Sequence, residues 1–162
     1  MEVSHIVIVD DHEVVREGLI CLLESAGHAG NVEFVESAEQ LLGLCRDKQP
    51  QLIILDISMP GMGGLEAIRR LRSKRPNQKI LVFSIYQNTA LANKVFELGA
   101  LGYVTKSSSS EKILEAISTV LSGKSYVSHD VLIKTATSSS KSILETLSPR
   151  QLDILKKITM GM

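Results

Sequence analysis

Short apolar runs alternate with helix-length segments along this chain, and that alternation limits the possible fold more than any other feature. β-Branched runs separated by helical segments predict a parallel sheet with helices on both faces, joined by right-handed crossovers. The run Leu52–Leu55 is apolar throughout, as expected of a strand that is buried on both faces. The predicted strands are Ser4–Val9, Val32–Val35, Leu52–Leu55, Ile80–Phe83 and Leu101–Val104.

Each predicted strand is followed by a segment with helical spacing. Ser37 with Gln40 matches the capping-box pattern at a helix start, and Ser108 with Glu111 suits the same position. The predicted helices are Glu13–Ala26, Ser37 to about Arg46, Gly63–Arg75, Asn88–Leu98, and Ser108 to about Leu121. The sequence therefore predicts a doubly wound α/β domain made of βα units.

Polar residues stand directly after four of these strands. Asp10 and Asp11 follow the first, Asp56 the third, Ser84 the fourth and Lys106 the fifth. Because the carboxyl ends of parallel strands share one edge of a sheet, these side chains are expected to converge there. Three carboxylates, a hydroxyl and an ammonium group indicate a magnesium-dependent phosphoryl site.

Asp56 is the predicted nucleophile of this site, because it ends the most apolar strand. Three close carboxylates raise one another's pKa unless a cation joins them, and Mg²⁺ prefers oxygen ligands. Lys106 is expected to pair with Asp56 and then with phosphoryl oxygens, while Ser84 donates to a phosphoryl oxygen. Taken singly, an aspartate such as Asp11 is usually a helix cap, and a lysine such as Lys106 is more often solvated. Their joint placement after strands favours the phosphoryl site.

These residues also carry a family resemblance over about residues 4–123. The segments Val9–His12, Leu55–Gly64, Phe83–Ser84 and Gly102–Lys106 resemble the receiver domain of two-component response regulators. The resemblance implies a flavodoxin-like (βα)₅ fold. It also implies that Asp56 takes its phosphoryl group from a sensor histidine kinase. The chain would then catalyse no reaction beyond its own phosphorylation and dephosphorylation.

The resemblance assigns further roles around Asp56. Mg²⁺ would be held by Asp10, Asp11, Asp56 and the backbone carbonyl of Ser58. Ser84 and Tyr103 would form the switch, with the Tyr103 ring turning inward when Ser84 moves. Without the motif, Tyr103 is equally a half-buried aromatic at the sheet edge.

Three residues near the predicted crevice are expected to tune the lifetime of the phosphoryl group. Ile85 is bulky where receivers often carry a smaller residue, so it is expected to restrict donor access. Ser58 and Tyr86 flank the crevice, and Tyr86 is expected to shield the acyl phosphate from water.

The pattern changes after Gly123. Residues 124–146 are expected to be a linker, with a short helix over Ser128–Ala136 and a Ser/Thr-rich stretch after it. Residues 147–162 resemble the start of a LuxR/NarL-type helix-turn-helix domain, in which Ser148-Pro149 opens the first helix. That resemblance implies a DNA-binding output domain and homodimerisation on phosphorylation.

Two other functions remain open on the sequence. A haloacid-dehalogenase-like phosphatase also uses a strand-end Asp with Mg²⁺. The motif of that family has a second Asp two residues after the nucleophile, and this chain has Ser58 at that position. A stand-alone receiver acting as an interaction module or phosphate sink is the other alternative. Turnover of a phosphoester would favour the phosphatase.

Net charge, cysteine content and the length of the apolar runs limit the binding partners and the location expected for this chain. The formal net charge of the 162 residues is zero, so the chain has no overall bias toward nucleic acid or anionic membranes. Cys21 and Cys45 are expected to be packed core thiols in a reducing compartment, and no run is long enough to cross a bilayer. A cytoplasmic protein is predicted. The histidines show no ligand spacing, so none is assigned to metal.

Overall fold

The predicted strands form one parallel sheet in the computed structural model, which describes residues 5–28, 30–59, 61–129 and 131. In chain order the strands are β1 (Ile6–Val9), β2 (Val32–Val35), β3 (Leu52–Leu55), β4 (Ile80–Ser84), β5 (Gly102–Thr105) and β6 (Tyr126–Val127). Their order in the sheet is β2-β1-β3-β4-β5-β6. The order reverses between β1 and β3, and this reversal opens a crevice at the carboxyl ends of those two strands. The flavodoxin-like prediction is confirmed.

The helices lie between the strands as expected. They are α1 (Glu13–Ser25), α2 (Ala38–Asp47), α3 (Gly64–Lys74), α4 (Thr89–Glu97) and α5 (Ser110–Leu121). The Ser37 hydroxyl caps α2 by accepting from the Gln40 amide, as predicted. The predicted cap of α5 was wrong by one residue, because Ser109 rather than Ser108 accepts from the Lys112 amide.

Two apolar layers cover the faces of the sheet. The first packs α2, α3 and α4 against side chains such as Val7, Ile53 and Val82. The second packs α1 and α5 against the alternate side chains of the same strands, including Ile8, Ile54 and Leu81. Every residue of β1, β3 and β4 is buried, which explains their uninterrupted apolar sequences. The central strands are therefore packed on both faces, and they fix the positions of the residues that follow their carboxyl ends.

The sixth strand was not predicted and lies within the stretch expected to be a linker. Tyr126 and Val127 pair in parallel with Gly102 and Tyr103. Val127 and Val131 are buried in the first apolar layer, so this part of the chain belongs to the sheet domain. Of the short helix expected over Ser128–Ala136, the structure describes residues 128, 129 and 131 alone. Residues 147–162 also lie outside the described residues.

The two cysteines differ in environment. Cys45 is buried, as predicted, and burial raises the pKa of its thiol. The prediction that Cys21 is a core thiol was wrong, since Cys21 is exposed. The core face of α1 is set by Leu19 and Leu23, and residue 21 lies on the opposite side of that helix. In the described part of the chain, no helix has the length and apolar character to span a membrane.

Candidate phosphoryl-acceptor and metal site

Two carboxylates lie side by side where β1 and β3 end. Val9 and Leu55 are register partners, which brings the residues that follow them, Asp10 and Asp56, to the same point. The Asp56 amide donates to the Val9 carbonyl at 2.9 Å, and each of the two aspartates is only 1% exposed. Burial of two neighbouring anions is costly unless positive charge accompanies them. The site therefore requires cationic partners.

Lys106 supplies one such partner. Its Nζ lies 2.8 Å from Oδ2 of Asp10 and 3.3 Å from Oδ2 of Asp56. The Lys106 amide donates to the Ser84 carbonyl at 2.7 Å, which continues the β4–β5 pairing to the end of β5. Its Nζ also lies 5.6 Å from the centre of the Phe83 ring. The sequence-predicted pairing of Lys106 with Asp56 is thus present, and Asp10 shares the ammonium group.

The acidic group extends to Asp11 and also includes a histidine. One ligand atom from each of Asp10, Asp11, His12 and Asp56 can be chosen so that all lie within 4.8 Å of one another. The Lys106 ammonium offsets one of three negative charges, so a divalent cation suits the charge that remains. The three carboxylates also offer the oxygen donors that Mg²⁺ prefers. The residues present therefore fit the predicted cation.

His12 is the site residue that the sequence analysis missed. Its Nδ1 lies 2.9 Å from Oδ1 of Asp10, 3.2 Å from Oδ1 of Asp11 and 4.0 Å from Oδ2 of Asp56. Its backbone amide also donates to Oδ1 of Asp10 at 2.8 Å. Spacing rules for histidine ligands did not identify it, but its position directly after the Asp-Asp pair was the available signal.

The loop from β3 to α3 holds the second oxygen of Asp56. The Ser58 amide donates to Oδ1 of Asp56 at 2.9 Å, so the carboxylate is fixed from both sides. Met59 is buried in the core, and the Met62 amide donates to a Glu39 carboxylate oxygen at 3.1 Å. These contacts anchor the loop. The predicted role of the Ser58 carbonyl as a metal ligand stays a prediction.

Ser84 and Tyr103 are joined through Tyr86 rather than through the carboxylates. The Ser84 hydroxyl accepts from the Tyr86 amide at 3.1 Å, and the Tyr103 hydroxyl donates to the Tyr86 carbonyl at 2.6 Å. Tyr103 is fully buried, so it is not the half-buried edge aromatic of the alternative interpretation. Burial raises its pKa, and a hydrogen bond with Ser84 partly opposes that rise. The two predicted switch residues therefore contact the same segment.

Ile85 and Tyr86 are large apolar side chains that face solvent. Ile85 is 63% exposed and Tyr86 is 49% exposed, although both directly follow the fully buried Ser84. The Tyr86 backbone is held at both its amide and its carbonyl. Their predicted effects on donor access and phosphoryl lifetime stay predictions.

A family model and curated proteins match this chain. The model described as "Response regulator receiver domain" matches residues 6–118. The response regulator UvrY of Escherichia coli (strain K12) is 33% identical over 162 residues, covering 97% of this chain and 74% of that protein. The response regulator GacA of Pseudomonas aeruginosa is 31% identical over 154 residues, covering 92% of this chain and 72% of that protein.

Solved structures match as well. A LuxR-family two-component response regulator from Aurantimonas sp. SI85-9A1 superposes with a TM-score of 0.75 and 36% identity, covering 83% of this chain and 96% of that one. The isolated REC domain of RcsB from Salmonella enterica serovar Typhimurium gives a TM-score of 0.70 at 26% identity, covering 80% of this chain and 96% of that one.

Proposed function

This chain belongs to the response regulator receiver family, and from that premise we propose that Asp56 accepts a phosphoryl group from a sensor histidine kinase and so controls a DNA-binding output domain. The observation that carries the proposal is the arrangement around Asp56. Its carboxylate is buried, held at Oδ1 by the Ser58 amide and faced at Oδ2 by Lys106. A structural carboxylate does not need the further acidic groups that lie beside it.

The chemistry is the transfer of a phosphoryl group between two nucleophiles. A carboxylate oxygen of Asp56 attacks phosphorus, the P–O bond forms, and the P–N bond of the phosphohistidine breaks with its electron pair leaving on the imidazole. Lys106 stabilises negative charge on the phosphoryl oxygens during this transfer. Asp10, Asp11, Asp56 and the Ser58 carbonyl would hold Mg²⁺, which would supply further positive charge beside the phosphoryl oxygens. The protein catalyses only its own phosphorylation and dephosphorylation.

The switch follows from a change of partner at Ser84. Its hydroxyl oxygen now accepts from the Tyr86 amide, whereas its O–H would donate a hydrogen bond to a phosphoryl oxygen on Asp56. Movement of Ser84 toward the phosphoryl group disturbs Tyr86, whose carbonyl is the partner of the Tyr103 hydroxyl. A ligand shifts a two-state equilibrium only through contacts that differ between the states, and these contacts meet that condition.

The output domain is proposed from the relatives and from residues 147–162. The match to the response regulator UvrY extends over 97% of this chain, and the name of the Aurantimonas structure assigns that protein to the LuxR family. Together with the resemblance of residues 147–162 to a LuxR/NarL-type helix-turn-helix domain, these matches support an output domain that begins near residue 147. DNA binding and homodimerisation on phosphorylation are proposed from that resemblance. A cytoplasmic location accords with partnership to a kinase and DNA. Ser58, Ile85 and Tyr86 would set the phosphoryl lifetime.

Intact mass measured after incubation with Mg²⁺ and a small acyl phosphate tests the central step. The parent chain should gain one phosphoryl group, and Asp56→Asn should gain none. Asp47→Asn, which changes an exposed aspartate at the end of α2, should still be phosphorylated. A mass gain on Asp56→Asn equal to that of the parent would contradict the assignment. Sustained turnover of a phosphoester substrate would instead favour the phosphatase.

A further inference from the structure

His12 adds a nitrogen donor to a set of oxygen donors, and this changes which cation the set suits. Within the described residues, Asp10, Asp11, His12 and Asp56 form the only group of three or more His, Cys, Asp or Glu side chains close enough to share an ion. Mg²⁺ prefers oxygen ligands and retains several waters. Zn²⁺ binds imidazole nitrogen and carboxylate oxygen together, commonly with four ligands.

The distances from His12 to Asp10 and Asp11 fit neighbouring ligands of one ion, and the distance to Asp56 is longer. Metal–ligand bonds of about 2.0–2.2 Å place neighbouring ligand atoms about 3 Å apart in octahedral sites and about 3.4 Å apart in tetrahedral sites. The Nδ1 atom of His12 lies 2.9 Å and 3.2 Å from oxygens of Asp10 and Asp11, and 4.0 Å from an oxygen of Asp56. The His12 side chain is 61% exposed, so cations reach it from solvent.

We propose that His12 is a specificity-determining residue of this cation site, making its affinity for Zn²⁺ relative to that for Mg²⁺ greater than the carboxylates alone would give. The inference rests on the proposed function for the location of the cation site. A Zn²⁺ ion held by all four side chains has no open position, because four-coordinate sites with four protein ligands are closed. Zn²⁺ would therefore prevent a phosphoryl oxygen from reaching the cation, and so oppose phosphorylation of Asp56.

Calorimetric titration of the full chain with Mg²⁺ and with Zn²⁺, at one fixed pH, tests this preference. In His12→Ala the ratio of Zn²⁺ affinity to Mg²⁺ affinity should fall about tenfold or more, since even outer-shell partners of a metal are worth that much. His5→Ala is the matched control, because His5 contacts Glu33 at the other end of β1. The ratio should not change in that control. An unchanged ratio in His12→Ala, or tighter binding of both cations, would overturn the proposal.

A second readout does not depend on any variant. With ¹⁵N-labelled histidine, Zn²⁺ should move the Nδ1 resonance of His12 into the range of a metal-bound imidazole nitrogen, whereas Mg²⁺, bound through the neighbouring carboxylates, should not. An unshifted Nδ1 resonance at saturating Zn²⁺ would also overturn the proposal. The two proposals fail differently. A parent chain that binds no Mg²⁺ contradicts the proposed function, whereas Mg²⁺ binding with a cation ratio indifferent to His12 contradicts this inference alone.

Discussion

The ammonium group of Lys106 lies closer to Asp10 than to Asp56, at 2.8 Å against 3.3 Å. Lys106 is therefore a counter-charge for two buried carboxylates at once, and its side chain is itself only 12% exposed. Removing it leaves two neighbouring anions without a cation in a site from which water is largely excluded. Such losses are among the larger effects of single substitutions.

Lys106→Met should lower the free energy of unfolding by about 3 kcal/mol when divalent cations are chelated. Added Mg²⁺ should stabilise this variant more than the parent, because it restores positive charge beside Asp10 and Asp56. Urea unfolding with EDTA and with Mg²⁺ measures both effects. Lys112→Met, on the exposed face of α5, should change stability by less than about 0.5 kcal/mol. Equal effects of the two substitutions would contradict the buried counter-charge.

Gly64 is the point where α3 begins against the loop that carries Ser58. A Cβ atom there would lie 2.5 Å from the Cα atom of Ile57, which is backbone and cannot move aside. Gly64→Ala should therefore lower the free energy of unfolding by about 1–3 kcal/mol. Displacement of the loop should also slow phosphorylation of Asp56. Urea unfolding and the rate of mass gain measure the two effects.

Gly43→Ala is the matched control for that substitution. Gly43 lies within α2, is exposed, and a Cβ there meets no described atom within 4 Å outside its own helix. Alanine has the higher helix propensity, so Gly43→Ala should raise stability by about 0.5–1 kcal/mol. A loss of stability comparable to that of Gly64→Ala would show that close contact with Ile57 is not the cause.

The strand ends explain why the candidate site could be predicted from sequence. Asp10, Asp56 and Lys106 each follow an apolar run whose register in a parallel sheet leaves little freedom, so their convergence follows from topology. His12 lies beyond a strand end, where the loop conformation decides its contacts. No spacing rule describes that conformation, and the histidine was missed for this reason.

The sequence analysis was also wrong about the cap of α5 and missed the last strand, because tertiary contacts determine both features. Three consecutive serines precede α5 and a fourth begins it, and each is a plausible cap by residue type. The hydroxyl of Ser108 instead contacts those of Thr105 and Ser128, which leaves Ser109 as the cap. The strand Tyr126–Val127 has only two residues, too few to show an alternating pattern. Its pairing with β5 is what makes it a strand.

Ser128 ties the chain after β6 to the end of β5. Its Oγ accepts from the Thr105 amide at 2.8 Å, and the side chain is buried. Ser128→Ala leaves that buried amide without its acceptor, which should lower the free energy of unfolding by about 1–3 kcal/mol. Ser118→Ala, on the exposed face of α5, should stay within about 0.5 kcal/mol of the parent. Similar denaturation midpoints for the two variants would contradict this role.

Ending the chain at residue 123, the domain boundary expected from sequence, should remove part of the core. Val127 and Val131 are both buried in the layer formed with α2, α3 and α4. A chain of residues 1–123 should therefore be less stable than one of residues 1–131 by roughly 3 kcal/mol or more, from two lost valine side chains. Thermal unfolding of the two chains compares them directly. Equal stability would place the boundary at residue 123 after all.

Tyr103 should make the fold sensitive to alkaline pH. Burial raises its pKa above the usual value of about 10, so the unfolded chain releases this proton at a lower pH than the folded chain does. The contribution of Tyr103 to stability is therefore present in full below pH about 10, and it is lost as the pH rises from there through the folded-state pKa. In Tyr103→Phe that alkaline loss should be smaller than in the parent.

The same substitution should have the opposite effect near neutral pH. Tyr103→Phe removes the hydrogen bond to the Tyr86 carbonyl, which should lower the free energy of unfolding by about 1 kcal/mol. The gap between variant and parent should then narrow above pH about 10, because only the parent's unfolded chain gains from ionising this hydroxyl. Tyr86→Phe, which keeps Tyr103, should retain the parent's alkaline loss. A constant gap between Tyr103→Phe and the parent across this pH range would mean that burial of the Tyr103 hydroxyl does not oppose its ionisation.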